Sequence, residues 1–532
     1  MEVIRMISTA TPEKLYIWIA KVFHDVVRDR RLRVILLAAI PAYFLIYGAL
    51  VAFGTTSADG LCEGLYFYHN AGWASACGRF FTNFANSLTG NVITPVLAAV
   101  EGILFLCFSA YLLVRLWNIR TPAWIALITL LMLGNPTTIS LYWYPHVFAI
   151  YTLAVLLAIV YAYCMARFRT VASLILGILS LALSLGIYQS YIGVAAACAV
   201  GTLFLAVLDG RSFSTVRTLF VRFLVGGCGG GILYLILMKL DLAILHISAA
   251  SRVTDVSFGA ILTALPHQIG VAYSTFFSDC FDPRLGRQWL YSILFVLLLA
   301  VVIFWAVRLV QKKEYWRTVF CLVLLLLFPV AANVVALVIT FQDVTELMRY
   351  AAILLFPLVF AVIQRTKAGV WFSWTKLGCF VLTAGIFWTY VISANATANV
   401  YNLCYRRNYF AISAMMSDVH DLPEYQNGDR VVLAGFLDYD DLRKEFAETF
   451  EYAIGVPENP IFWKDMNGIL NARRGFFINY LGVEAGVISY DEYGAAISSE
   501  EFSAMPIWPA QGSVAKINDI VVVKLSEEPP IP

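Results

Sequence analysis

The sequence predicts a mainly α, polytopic membrane protein of about 11 transmembrane helices carrying a small C-terminal α+β domain, and three observations predict it. Of the 532 residues, 60% are hydrophobic and 14% are charged, and the mean hydropathy is +0.76. Soluble chains carry roughly 25% charge and about 45–50% apolar residues. Apolar runs long enough to cross a bilayer, roughly 20 residues each, recur eleven times. The segments between them alternate between rich and poor in Lys and Arg. Lipid accepts only structures that satisfy every backbone polar group internally, so such a chain is helical. The composition excludes a soluble enzyme, a disordered chain and a nucleic-acid binder.

Residues 1–33 read as a basic amphipathic segment, with Thr11 to Val27 lying along the inner membrane surface. Arg28, Arg30, Arg31 and Arg33 precede the first apolar run, which lacks a small-residue cleavage site and therefore reads as a retained anchor. Spans are predicted near 34–53, 93–114, 122–140, 146–165, 171–188, 190–208, 220–238, 290–307, 318–339, 347–363 and 377–394, giving a transmembrane domain over 34–394. With the N-terminus inside, the inner segments hold 21 basic residues. The outer loops before residue 394 then hold 6: Arg79, Lys239, Arg252, Arg284, Arg287 and Arg349. The positive-inside rule fixes a cytoplasmic N-terminus, and an odd number of spans puts the C-terminus outside.

Residues 395–532 have 10 basic and 20 acidic residues, a net charge of −10 against +12 for the rest of the chain. This segment reads as an extracytoplasmic soluble domain. Arg430 to Phe436 and Ile520 to Leu525 are strand-like, and Leu442 to Tyr452 has helical spacing. The ten cysteines form no CxxC. Cys62 and Cys77 share the first outer loop, where a disulfide and two unpaired thiols are both compatible with the sequence.

Charge in a membrane chain is costly, so its position is informative. The first outer loop, 54–92, holds Asp59, Glu63 and Arg79 as its charged residues. Asp59 and Glu63 are four apart and would share a helix face. Near the bilayer, partial desolvation raises a carboxylate toward general-base function. A capping aspartate and a solvated glutamate fit the same spacing. The loop also carries Tyr66, Phe67, Tyr68, His69, Asn70 and Trp73, a mixture that suits an interfacial helix and equally a sugar site, where rings stack and amides read hydroxyls. The 239–289 loop carries Lys239, Arg252, His267, Arg284 and Arg287, and the next outer loop carries Asp343, Glu346 and Arg349. An arginine opening an apolar helix on the positive-poor side needs a partner, and a lipid phosphate is one. Tyr188-Gln189-Ser190-Tyr191 forms a tight outer turn, and Glu101 lies inside the second span. There is no Walker loop, GxGxxG turn, HExxH or GxSxG. Six dispersed histidines give no metal set.

Together these residues resemble the bacterial O-antigen and cell-surface glucosyltransferases of the Gtr type II family, within the GT-C group of membrane glycosyltransferases. The resemblance rests on Asp59 after the first span, Gly78-Arg79 before the second, the Tyr188–Tyr191 turn, and Arg252. It rests further on Arg349 opening a late span, and on Pro509, Gly512-Ser513-Val514 and Ile520 to Leu525 in the tail. Family members carry paired acidic residues after the first span, whereas Asp59 is flanked by Ala58 and Gly60, so that Glu63 is the alternative carboxylate. The resemblance implies a polyprenyl-phosphate hexose donor, undecaprenyl phosphate-glucose, and a surface polysaccharide or glycolipid acceptor at the outer face of the bacterial cytoplasmic membrane. It implies catalysis by Asp59 or Glu63, with Arg79, Arg349, Arg252 and Lys239 on the donor phosphate and Tyr188, Gln189, Tyr66 and His69 as substrate-binding residues. No cofactor is implied, although a divalent ion near Asp59 and Glu63 is compatible with the chemistry. The competing reading is a transporter or flippase of lipid-linked sugars, favoured by Glu101. A third is an envelope scaffold using its acidic tail domain to bind.

Overall fold

The computed structural model describes residues 24, 26–62, 71–87, 91, 94–250, 258–339, 344–366, 370–437, 440–454 and 469–529. Among the described residues, nine helices are long and apolar enough to cross a membrane, and two shorter apolar helices, Val171–Ile187 and Tyr350–Arg365, join them. These eleven coincide with the eleven expected runs. The protein is a polytopic α-helical membrane protein.

Local chemistry sets the helix starts. Pro95, Pro122, Pro136 and Pro145 each open a helix, where the missing N–H costs nothing and φ is already helical. Thr94 and Asn135 cap two of them, Asn135 through a reciprocal capping box with Thr138. In the first span, Pro41 lies inside Arg30–Ala42 and is followed by a π-turn at Tyr43–Tyr47. A proline removes one ladder bond and crowds the preceding turn, and the helix widens to absorb it.

Burial grades across the bundle. The Pro122–Leu141 segment is 89% buried over its most apolar window, whereas Phe213–Leu245 and Arg284–Gln311 are 17% buried. The exposed faces of these outer helices are Leu224, Ile232, Ile236 and Leu240 on one, and Ile293, Val296, Leu299 and Ile303 on the other. A continuous apolar surface of that kind is a liability in water and matches lipid.

The last span does not stop at residue 394. Val370–His420 is one helix of 51 residues, about 75 Å at 1.5 Å per residue, against a hydrocarbon thickness of about 30 Å. It therefore carries the C-terminal domain as a stalk, and position 395 falls within the helix. The domain contains a three-stranded sheet, β1 (Arg430–Ala434), β2 (Val514–Ile517) and β3 (Ile520–Lys524), in the order β1-β3-β2. β1 is parallel to β3 with Arg430 opposite Ile520, and β2 is antiparallel to β3. The β2–β3 link is Asn518-Asp519, with φ of 48° and 61°, the positive pair that a two-residue hairpin turn requires. The expected strands are present; β2 adds a third. The expected helical stretch is two short helices, Asp440–Glu445 and Ala447–Tyr452. Alternation divides the sheet: Val432, Ile520 and Val522 pack with Tyr493 and Phe502 in a separate small core. Val431, Leu433, Val521 and Val523 face the main core with Phe476 and Phe477.

Candidate active site

The first span ends at Gly54, whose φ of 60° closes the helix. A short extended stretch then leads into the Ala58–Cys62 helix, which carries Asp59 in its first turn. Two bonds to one carbonyl fix that stretch: Ser57 N donates to Trp143 O at 2.8 Å and Thr56 Oγ1 to the same oxygen at 3.3 Å. The Tyr405 hydroxyl donates to Thr56 O at 2.5 Å from the stalk helix. Asp59 is solvent-exposed, and its charge reaches the hydroxyls of Tyr144 and Tyr151. Burial pushes the Tyr144 phenol well above its ordinary value, and the Asp59 carboxylate adds to the rise.

Arg79 also reaches Tyr151. Its Nη1 donates to the Tyr151 hydroxyl at 2.9 Å, and its guanidinium lies 5.1 Å from the Tyr188 ring centre and 6.0 Å from that of Tyr151. Tyr151 and Tyr188 stack at 4.4 Å. The Gly78-Arg79 pair has a physical reason. Gly78 has φ +76°, and a Cβ there would stand 2.6 Å from the Tyr234 hydroxyl and 3.0 Å from Gln189 Nε2. Gln189 Nε2 donates to Cys77 O at 2.7 Å and to the Tyr234 hydroxyl at 3.0 Å. The Tyr188–Tyr191 turn is thus pinned to the Arg79 loop, and Asp59, Arg79, Tyr188 and Gln189 belong to one constellation.

A second charged cluster lies beyond Tyr191, whose ring meets that of Tyr350 at 6.1 Å. Fully buried Arg287 donates to Asp282 at 2.5 Å, to Thr389 at 3.2 Å and to Ser393 at 3.0 Å, and sits 4.9 Å from the Tyr390 ring centre. Arg284 pairs with the other Asp282 oxygen at 2.7 Å. Arg349 pairs with Glu346 at 2.9 Å and donates to Ser278 at 2.7 Å. Glu346 and Arg349 border a small cleft lined also by Asn135, Ser278, Asp279 and Tyr390 among others. Burial alone would raise the Asp282 carboxyl, but Arg284 and Arg287 overcome it and hold it below the usual range. Burial dominates at Asp279, whose carboxyl is raised although Arg287 and Arg349 offset part of the cost. Glu346 is raised for the same reason, with Arg349 opposing.

Asp279 yields a prediction with a definite sign. A carboxyl raised in the folded state holds its proton more tightly than in the unfolded chain. Stability from that proton is full below the unfolded value and is lost as pH rises through the folded one. Asp279→Asn, which mimics the neutral acid, is expected to raise the unfolding temperature at neutral pH. At pH 4 the gain should shrink. Thermal unfolding of the detergent-solubilised protein at both pH values measures it.

The short helix Pro136–Tyr142 links the two clusters. Thr137 near its start donates to Glu346 O at 2.8 Å, and Trp143 after its end holds the Asp59 stretch. Other expected site residues fall elsewhere. Lys239 is on the exposed side of the Phe213–Leu245 helix, one residue past Met238, which faces Gly78. Glu63, Tyr66, His69 and Arg252 lie outside the described residues, as does most of the Thr11 to Val27 segment. No disulfide joins Cys62 and Cys77. Glu101, the residue that favoured transport, is half-exposed on its helix. Among the described residues no group of three or more His, Cys, Asp or Glu could hold a metal ion. Tyr144, Tyr151, Tyr234, Asp279 and Asp282 join the clusters without having been singled out by sequence. The two aspartates carried a signal: Asp282 stands two and five residues before Arg284 and Arg287, and Asp279 five and eight, in a loop otherwise poor in charge.

The chain matches a family described as Glucosyl transferase GtrII over residues 63–356, more than half of its length. No curated protein and no solved structure matches it. The matched region contains Arg79, the Tyr188–Tyr191 turn, Asp279 and Arg349, and it begins four residues after Asp59. The chain belongs to the GtrII glucosyl transferase family and is a membrane-embedded glucosyltransferase.

Proposed function

We propose that the enzyme is of the GT-C type and moves glucose from a polyprenyl-phosphate donor, undecaprenyl phosphate-glucose, to a surface polysaccharide or glycolipid. The reaction takes place at the outer face of the bacterial cytoplasmic membrane, with the N-terminus inside. The observation that carries this reading is the guanidinium of Arg79 on the Tyr151 hydroxyl and the Tyr188 ring, with the Asp59 carboxylate near enough to Tyr144 and Tyr151 for its charge to act on them, at one end of an apolar bundle. The 21-to-6 bias of basic residues between the two sides supports the orientation.

In this mechanism Asp59 takes the proton of an acceptor hydroxyl as its oxygen bonds to the anomeric carbon. The bond from that carbon to the donor phosphate breaks on the opposite face, and configuration inverts. Polyprenyl phosphate departs as a stabilised anion, so no protein acid is needed. Arg79 receives its developing charge, as preorganised cations do, and Arg349, across the tyrosine chain, is the second phosphate-facing cation. Glu63 remains the alternative base. Tyr188 and Gln189, with Tyr66 and His69, contact the sugar. Lys239 and Arg252 are secondary phosphate contacts, and the grooves between spans hold the prenyl chain.

Purified protein in lipid nanodiscs, given undecaprenyl phosphate-[14C]glucose and cell-envelope acceptor, is expected to form a labelled product without added metal. A flippase would instead redistribute the donor in proteoliposomes and form no glycosidic bond, and that result would overturn the assignment.

A further inference from the structure

The C-terminal domain touches the candidate catalytic helix directly. The domain's Ile469–Phe476 helix packs against Ala58–Cys62. The approach is so close that a Cβ on Gly475 would lie 2.9 Å from the Leu61 carbonyl carbon. That neighbour is backbone, which cannot rotate away, so any side chain at position 475 must displace one helix from the other. Around this seam Phe476 and Tyr480 stack at 4.8 Å, and both rings meet Tyr405 of the stalk, at 5.8 and 4.9 Å. The hydroxyls finish the contact: Tyr480 donates to Gly54 O at 3.0 Å, and Tyr405 to Thr56 O at 2.5 Å. The segment entering the Asp59 helix is therefore held from the domain, from the stalk and from Trp143. On its other flank the domain also reaches the second cluster. Arg284 Nη1 donates to Ala453 O at 2.9 Å, and Ile454 N donates to Thr397 Oγ1 at 2.8 Å.

We propose that the C-terminal domain is a positioning element of the active site: its Gly475 seam and the Tyr405 and Tyr480 hydroxyls set the placement of Asp59, so that glycosyl transfer requires the domain docked in this register. The proposal rests on Asp59 being the base. The −10 charge of residues 395–532 fits this role better than capture of an anionic polymer, which it would repel. Geometry at a reacting group is demanding, since a shift of about 1 Å can cost about 10²-fold in rate.

The test uses the full chain in nanodiscs with the polyprenyl-phosphate glucose donor. Gly475→Ala is expected to lower kcat by about 10–100-fold with the donor KM little changed. Tyr480→Phe and Tyr405→Phe, which keep the rings and fold as wild type, are each expected to lower kcat by about 5-fold, the worth of one hydrogen bond. The pH profile of kcat is expected to shift in all three, because each alters the surroundings of Asp59. Val522→Ala, in the domain's separate small core, is the control for mere loss of domain stability and should transfer at the wild-type rate. Wild-type kcat and an unmoved pH profile in both phenylalanine variants would overturn the positioning role while leaving the base intact. Full transfer by Asp59→Asn would overturn the base and the positioning role together.

Discussion

Replacing Asp59 by asparagine is expected to lower glucose transfer by about 10²–10⁴-fold, the usual contribution of a positioned general base. The change is close to isosteric, and Asp59 is exposed in the first turn of Ala58–Cys62, so neither packing nor burial is disturbed. What disappears is the ability to accept a proton at neutral pH. The fold should therefore survive while the rate falls, and initial rates read beside thermal unfolding separate the two. Glu63→Gln is the companion experiment. A rate that falls in that variant and stays high in Asp59→Asn would move the base to Glu63, and full transfer in the double variant would remove both carboxylates from the mechanism.

Arg287→Leu is expected to destabilise the protein by about 3–5 kcal/mol, the range for removing one partner of a buried ion pair. Arg287 has no exposed side-chain surface, and Asp282 has 7%. Leucine would leave one Asp282 oxygen without its 2.5 Å donor and strip donors from Thr389 and Ser393 on the stalk helix. Arg284, bound to the other Asp282 oxygen, limits the damage to the lower part of the range. A second variant, Arg287→Leu with Asp282→Asn, should regain part of the loss, because the stranded charge is then gone. The coupling read from that cycle isolates the pair. Unfolding temperatures unchanged in the single variant would show that the pair contributes nothing to the docking of the loop on the stalk.

The spans were readable because lipid selects on a local property. An apolar run of sufficient length is a helix whatever surrounds it, and the two shorter apolar helices, Val171–Ile187 and Tyr350–Arg365, were still marked by hydropathy. The strands Arg430–Ala434 and Ile520–Lys524 were readable for a similar reason, as β-branched runs. The length of Val370–His420 was not: composition turns polar after residue 394, and that change marks the membrane surface as readily as a helix end. Within the site, Asp59, Arg79, Tyr188 and Gln189 were found as rare polar groups in apolar surroundings. Tyr151 was not, because a tyrosine inside a span reads as one more aromatic until a guanidinium stands 2.9 Å away. Arg349 was chosen as needing a partner, and Glu346 and Ser278 supply two.

By itself, then, the sequence determined the membrane class, the segments that form the candidate spans among the described residues and the few polar residues worth testing, since transfer free energy accumulates residue by residue along a segment. Only the tertiary structure decided that Asp59 and Arg79 both act on Tyr151, that Asp279 and Glu346 line a cleft beside Arg349, and that Gly475 of the tail domain lies against the helix of the candidate base. Those are contacts between residues tens to hundreds of positions apart. Helix packing, hydrogen-bond geometry and the space a missing Cβ leaves determine them, and no local pattern encodes such distances.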